Sequence, residues 1–299
     1  MNKKVLALYY SQSGQLEEIL NNFAAPLIAA GVSVEKVHIQ PEKPFVFPWT
    51  SERFFDAMPE SVLGTPVPLA PFELNEEDYD LVILAYQPWY LSPSIPTTSM
   101  LLHPKIRKVI ANKPVITLIG SRNMWLNAQE KVKKYLEEVN ADLVGNVALF
   151  DRNNNSVSAV TILYWMLTGK KDRMWGIFPK PGVADEDVVQ VGTYGAIVLE
   201  ILENGNWDAL QEQLVSAKAV EVKSNLMFIE HRAKRLFAIW ANLITKRKNR
   251  ALWLKIFKYY LVIALFIVAP IVVTINTIFF KPFLQKKIQR KKQYYLAVN

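Results

Sequence analysis

The sequence predicts an α/β protein: a five-stranded parallel sheet with helices on both faces, followed by a C-terminal helical membrane-attachment region. Three observations carry this. Five short apolar runs alternate with helical patterns over residues 4–150. Residues 1–222 hold 19 Lys and Arg against 26 Asp and Glu, whereas 223–299 hold 16 Lys and Arg against the single acid Glu230. Within that basic tail, Tyr259 to Phe280 is an uncharged run of 22 residues. An acidic body joined to a basic, apolar tail points to an anionic membrane surface and away from nucleic acid.

The elements follow in order. Asn2-Lys3-Lys4 has the charged start of a signal peptide, but the apolar stretch after it is too short and no small-residue cleavage site follows. Lys4–Tyr10 is therefore a first strand buried on both faces, and the body is expected in the cytoplasm. Ser11–Gln15 is a turn, and Leu16–Ala30 is helical in pattern with Gly31 as its stop. Val32–Ile39 alternates as a second strand. Asp80–Tyr86, Pro114–Gly120 and Leu143–Phe150 are the remaining apolar strands, separated by helices over Thr97–Ala111 and Met124–Asn140. Strands that alternate with helices in this way imply a parallel sheet.

Two regions depart from the alternation. Segment 41–75 holds seven Pro and six aromatics, Phe45, Phe47, Trp49, Phe54, Phe55 and Phe72. A flexible linker would be rich in Gly and Ser instead. The segment reads as an ordered insertion, either structural cover for the sheet edge or a lid over a cleft. Residues 151–222 form a helical extension: Val157–Leu167 is uncharged but too short to span a bilayer, and Asp185–Glu203 and Trp207–Ala219 are further helices.

The tail, 223–299, has two parts. Leu226, Ile229, Ala233, Leu236, Phe237, Trp240, Leu243 and Ile244 share one helical face, and His231, Lys234, Arg235 and Asn242 lie opposite. Such a basic amphipathic helix suits a headgroup region, or else an ordinary docking face. The run 259–280 is long enough for a membrane segment and has aromatic edges. Six Lys and Arg lie on each flank, a tie that leaves its orientation open. Pro270 near its middle would kink or break a helix. Two topologies follow, a single span with Asn299 across the membrane and a re-entrant hairpin; the span is the first choice. The body without residues 223–299 is expected to be soluble and to keep any cofactor, because the cofactor loops below all precede the tail.

Composition removes several chemistries. There is no Cys, hence no disulfide, iron–sulfur cluster or cysteine nucleophile. Three scattered His, His38, His103 and His231, offer no metal centre, and none is expected.

Three loops at the carboxyl ends of strands could hold a ligand. Ser11, Gln12, Ser13, Gly14, Gln15 and Leu16 join the first strand to the first helix, where free N–H groups and the helix dipole attract a phosphate. A plain turn with an N-cap is the other reading of that loop. Gln87, Pro88, Trp89, Tyr90 and Leu91 follow the third strand, and Ser121, Arg122, Asn123, Met124 and Trp125 follow the fourth. A flat heteroaromatic ring could lie between their aromatic faces, or those aromatics could simply pack at the sheet edge. Arg122 and Asn123 are donors for a developing oxyanion. Tyr90 and Tyr194 are candidate bases, with buried structural Tyr as the competing reading.

Five strands within 150 residues fit the flavodoxin-like version of the doubly wound sheet. The three loops resemble that family too, including its NAD(P)H:quinone-reductase branch, whose S/T-x-T-G-x-T pattern is matched by Ser11, Ser13 and Gly14, with Leu16 in place of the third hydroxyl. The resemblance implies FMN, with FAD as the alternative. The stretches YYSQSGQL, PFVFPWTSERFFDAMPESVLG and GSRNMW, with the basic apolar tail, resemble the family labelled dialkylresorcinol condensing enzyme, found in bacterial dialkylresorcinol and flexirubin pathways. That resemblance implies a ketosynthase partner and a flavin-dependent, aromatase-type oxidoreductase. Its expected reaction is oxidation of a lipid-tailed cyclohexane-1,3-dione to a dialkylresorcinol. The alternatives are an NAD(P)H-dependent quinone reductase and a flavin-free membrane adaptor for the ketosynthase. Membrane lipid and a lipid-like substrate are the other expected partners, and monomer or homodimer stays open.

Overall fold

Strands β1 (Lys4–Tyr9), β2 (Ser33–His38) and β3 (Leu81–Tyr86) open a sheet that β6 (Pro114–Ser121) and β7 (Asp142–Phe150) complete; β4 (Pro88–Trp89) and β5 (Ser92–Pro93) form a small separate hairpin. The sheet order is β2-β1-β3-β6-β7 and every pairing in it is parallel. Counting sheet strands alone, this is the flavodoxin-like order 2-1-3-4-5. The computed structural model describes residues 3–298; Asn2 and Asn299 lie outside them.

The continuous apolar runs become central strands because helices cover both faces; all six residues of β3 are buried. In chain order the helices are α1 (Gln15–Ala29), α2 (Ser51–Asp56), α3 (Met58–Leu63), α4 (Ile95–Leu102), α5 (Pro104–Ile110), α6 (Leu126–Glu137), α7 (Asn155–Thr168), α8 (Asp185–Asn204) and α9 (Leu210–Ser216). Leu20, Phe23 and Leu27 of α1 pack with Val191 and Val198 of α8 and Leu210 and Leu214 of α9 on one face. Met100, Ile106, Val132 and Leu136 from α4, α5 and α6 fill the other. The single helix expected over Thr97–Ala111 is two, because Pro104 lacks an N–H and ends α4 before it. Trp207–Ala219 likewise divides, into a 3-10 turn and α9.

Close approach of α1 and α8 depends on Gly195, where an added Cβ would lie 1.9 Å from the Phe23 carbonyl oxygen. Backbone cannot yield there as a side-chain tip can. Gly195→Ala is expected to cost roughly 1–3 kcal/mol, read as a fall in Tm of several degrees. An unchanged Tm would show that the two helices are not held this tightly.

The tail adds α10 (Ser224–Thr245), α11 (Arg250–Ile263), α12 (Ala269–Ile275) and α13 (Gln285–Leu296). Among the described residues one helix, Arg250–Phe280, is long and apolar enough to cross a membrane. It runs unbroken through Pro270 because π-turns at Ala264–Val268 and Asn276–Phe280 shift the hydrogen bonding; the Ala269 N–H, for example, bonds the Ala264 carbonyl. No reversal occurs at Pro270, so the hairpin does not form.

Both ends of this helix are held on the body. At one end Arg250 donates to Asp56 (2.6 Å) and bidentately to Glu60 (2.8 and 2.7 Å) in α2 and α3. At the other end, beyond the apolar stretch, Ile288, Tyr295 and Leu296 pack on the core of the same body, and Tyr294 donates to Glu130 (2.8 Å). A crossing would put those ends on opposite sides of a bilayer. Here both are docked on one body, up to Val298, the last residue described. The helix lies along the body, with Ile267, Ile271, Ile278 and Phe279 turned outward and half or more exposed. Its beginning and α10 share a core with the insertion: Met58, Ala241, Ile244 and Phe257 are fully buried together.

Candidate functional site

The three ligand loops meet at the carboxyl edge of the sheet, around a cavity of about 560 Å³. Its floor is Gln12, Ser13, Gln15 and Leu16. Gln87–Leu91 form one wall, and Ser121, Arg122 and Met124 another. The insertion supplies Trp49, Phe54 and Phe55, so it is both cover and cavity wall. The roof is Leu261, Ala264, Leu265, Val268 and Val272 from the inner face of the apolar helix. A chamber of this size is within the range of small-molecule and cofactor sites.

The first loop has the form of an anion cradle. Gly14 sits at φ 87° as the cap residue of α1, a left-handed turn that lets the chain enter the helix sharply. Ser11 Oγ accepts the Glu17 N–H at 3.3 Å. The N–H groups of Gly14, Gln15 and Leu16 donate to no protein acceptor among the described residues. Those free donors and the helix dipole suit a phosphate. Gln12 and Gln15 have different work: Gln12 donates to the Phe45 carbonyl (2.7 Å), and Gln15 exchanges two hydrogen bonds with the Val183 backbone (2.8 and 3.1 Å). Leu16 is buried and presents methyl groups where a hydroxyl would help an anion.

The second loop is held in a strained turn. Tyr90 and Leu91 have φ 49° and 62°, costly for side-chain-bearing residues. Ser61 Oγ donates to the Trp89 carbonyl (2.9 Å), and Lys131 Nζ donates to Ser92 Oγ (2.8 Å), which pins both arms of the hairpin. Trp89 stands edge-on to Trp49 at 5.2 Å and to Phe45 at 5.1 Å. Gln87 lines the chamber, and its buried Nε2 donor has no protein partner among the described residues.

The third loop divides its residues. Arg122 lines the cavity and donates to the Asn155 backbone and side-chain oxygens at 3.0 and 3.1 Å. Burial lowers its pKa to about 10, with Asp151 and Glu230 acting the other way, so it stays charged at neutral pH. Asn123 donates to Asn155 Oδ1 (2.9 Å) but lines a different, much smaller recess. Trp125 turns into the sheet core and touches no part of the cavity. The expected pair of aromatic faces is thus corrected: Trp89 meets Trp49 and Phe45 from the insertion, not Trp125.

Neither tyrosine is placed as a base. Tyr90 donates its hydroxyl to the Phe54 carbonyl, and burial raises its pKa well above the ordinary value. Tyr194 belongs to the α1–α8 core and donates to the Lys218 carbonyl (3.4 Å). Both hydroxyls are protonated donors with structural work to do.

Several residues that shape the site escaped the sequence reading. Gly182 lines the cavity where a Cβ would come within 2.6 Å of Gln15 Oε1 and 2.7 Å of the Trp165 ring. Helix α7 contributes Ala159, Leu163 and Met166. Glu230 is the most informative. It is 1% exposed, and its carboxylate accepts the Asn127 N–H (2.7 Å) at the N-terminus of α6, so it anchors α10 beside the Arg122 loop. The signal was visible: the only acid of the tail falls between Leu226 and Ala233, on the apolar side of its helix.

Burial pushes the Glu230 carboxyl up to about 7, against the Asn127 and Leu126 N–H groups and Arg122, which favour the charged form. The folded protein therefore holds this proton more tightly than the unfolded chain. The associated stability is full below the ordinary carboxyl range and falls by roughly 3 kcal/mol as pH rises from that range to about 7. Glu230→Gln should remove that component, so Tm measured from pH 5 to pH 8 should decline less in the variant. Parallel profiles would show that Glu230 is already ionised across the range.

The chain matches no family model and no curated protein. Solved structures it is similar to include a Lactobacillus acidophilus flavoprotein in complex with FMN, at 17% identity and TM-score 0.39, covering 49% of this chain and 93% of that one. A provisionally assigned flavoprotein from Bacteroides uniformis is 18% identical with TM-score 0.39, covering 56% and 99%. The Trp repressor binding protein of Bacillus subtilis is 11% identical with TM-score 0.31, covering 55% and 98%. The fold assignment itself rests on the strand order of this chain.

Proposed function

We propose that the protein is a flavin-dependent oxidoreductase that works at a lipid surface, with FMN cradled by the β1–α1 loop, and that it oxidises a lipid-tailed cyclohexane-1,3-dione to a dialkylresorcinol. The observation that carries this is the cavity: phosphate-type donors lie at one end, the inner face of an apolar helix forms the roof, and no Asp, Glu, His or Lys lines it. The free N–H groups of Gly14–Leu16 fit the phosphate, and the partnerless Gln87 donor and the Trp89 wall fit a flat polar ring. Flavin, when bound, supplies the acceptor for the two hydrogens that aromatisation removes.

The chain's own residues suit a substrate of this kind. A carbon between two carbonyls is readily deprotonated, so the dione binds as an enolate and needs no strong protein base. Arg122 and Arg232 are the only fully charged side chains among the lining residues, and both are cations, which favours an anionic, oxygen-bearing ring. Alkyl chains fit against Ile162, Leu163, Leu261 and Leu265. The outward face of the same helix presents Ile267 and Ile271 to lipid, so a membrane-dissolved substrate has a short way in. The body is then on the cytoplasmic side, and the ketosynthase that makes the dione is the natural partner.

The test uses purified full-length protein. It should be yellow with bound FMN. A synthetic dialkyl cyclohexane-1,3-dione added without oxygen should bleach the colour in one turnover and yield a product lighter by two hydrogens. Bleaching by NADPH with reoxidation by a quinone, and none by the dione, would replace this reading with a quinone reductase. Colourless protein that takes up neither FMN nor FAD would leave the adaptor.

A further inference from the structure

A second cavity of about 560 Å³ lies between α10, the end of the apolar helix and α13. Arg232, Arg235, Lys281, Lys287 and Lys291 line it, and among the described residues no carboxylate does. None of the five takes part in an ion pair among the described residues. The one acid of the tail, Glu230, is turned away and spent on Asn127. His231 also faces this cavity; it is held below the ordinary imidazole range first by burial and then by Lys291, Arg235, Lys234 and Arg232. Cations gathered in a concave wall repel one another unless a countercharge joins them.

Two features give that countercharge a chemistry. Arginine forks and lysine ammonium groups together are the usual hydrogen-bonding partners of phosphate oxygens. Arg232 is already oriented, its guanidinium stacked 3.7 Å from the Phe228 ring. Apolar side chains border the same space: Val272, Ile275 and Leu284 line it, and Phe280 stands 56% exposed beside them. An anion with an attached acyl chain matches both the charge and the border.

We propose that this cavity binds a phosphate-bearing anion, the headgroup of an anionic phospholipid, and so seats the protein on its membrane at a defined point. The site is independent of the flavin reading. It shares only the wall formed by Phe228, Arg232 and Val272 with the first cavity. A diffuse attraction between a basic tail and a charged surface would need no cavity, and the two differ in what a charge removed elsewhere does.

The experiment titrates full-length protein in a neutral detergent with short-chain phosphatidylglycerol, short-chain phosphatidylcholine and inorganic phosphate, by calorimetry. One saturable site for phosphatidylglycerol is expected, with binding to phosphatidylcholine at least tenfold weaker. Arg235→Gln, Lys287→Gln and Lys291→Gln together should weaken phosphatidylglycerol binding at least tenfold. Lys246→Gln, Lys248→Gln and Lys255→Gln, which remove the same charge outside the cavity, should weaken it less than threefold. Far-UV circular dichroism and Tm confirm folding, and removal of mutual repulsion should leave Tm equal or higher. Inorganic phosphate binding as tightly as the lipid would identify a free phosphate ligand in the same site; weak phosphate binding identifies the headgroup. Equal losses in the two triple variants, equal binding of the two lipids, or no saturable binding would overturn the proposal.

Discussion

Ser13→Glu is expected to abolish flavin binding. Ser13 lines the cavity floor immediately before the free N–H groups of Gly14, Gln15 and Leu16. A glutamate there would reach into the anion cradle, take up the helix-end donors itself and repel the phosphate. Like-charge contact of this kind costs several kcal/mol, so affinity should fall by at least about a hundredfold, or roughly 3 kcal/mol. Ser13→Ala keeps the backbone donors and should weaken binding far less. Equilibrium dialysis of the two variants against FMN, with Tm as a check on folding, measures this. A full flavin complement in Ser13→Glu would remove the cofactor from the β1–α1 loop.

The largest expected effect comes from deleting residues 223–299. From the sequence the truncated body should stay soluble with its cofactor, since no cofactor loop lies in the tail. The structure reverses that expectation. The tail buries Met58 and packs against Phe55, Val62 and Tyr90, and it forms the roof over the chamber. Without it, Phe54, Phe55, Trp89 and Tyr90 face solvent as one apolar patch, and Asp56 and Glu60 lose Arg250. Exposed patches of this kind cause association. The truncated protein should appear mostly in aggregates, and any refolded fraction should bind FMN at least tenfold more weakly than the full chain. A monodisperse truncated body with undiminished FMN affinity would show that the roof is dispensable.

The proposed chemistry depends on where the tail sits. An apolar helix that crossed a bilayer would leave the cofactor loops open to water. Lying along the body, it instead carries two surfaces: Ile267 and Ile271 outward, Leu261, Ala264 and Leu265 inward over the site. One helix then separates the candidate site from the outward apolar face. The cationic cavity between α10 and α13 stands at the other end of the same helix.

The sequence by itself determined the sheet and its loops. Buried strands such as LVILAY must be continuously apolar, and their alternation with helical patterns implies a parallel sheet, so the five strands and the three ligand loops at their carboxyl ends were legible, while the strand order was not. So were the charge asymmetry and the long apolar helix, which depend on composition alone. Tertiary structure decided which side of each element meets which partner. Trp125 and Trp89 look alike in sequence, yet one enters the core and the other the cavity, because a loop's local pattern does not encode the direction its side chains take. Tyr90 and Tyr194 became hydrogen-bond donors to carbonyls brought from 36 and 24 residues away. Tied basic flanks and Pro270 could not distinguish a span from a hairpin, and the structure shows a continuous helix docked on the body at both ends. The deciding contacts, Arg250 with Glu60 and Tyr294 with Glu130, join residues 190 and 164 positions apart, a distance over which no helical or strand period carries information.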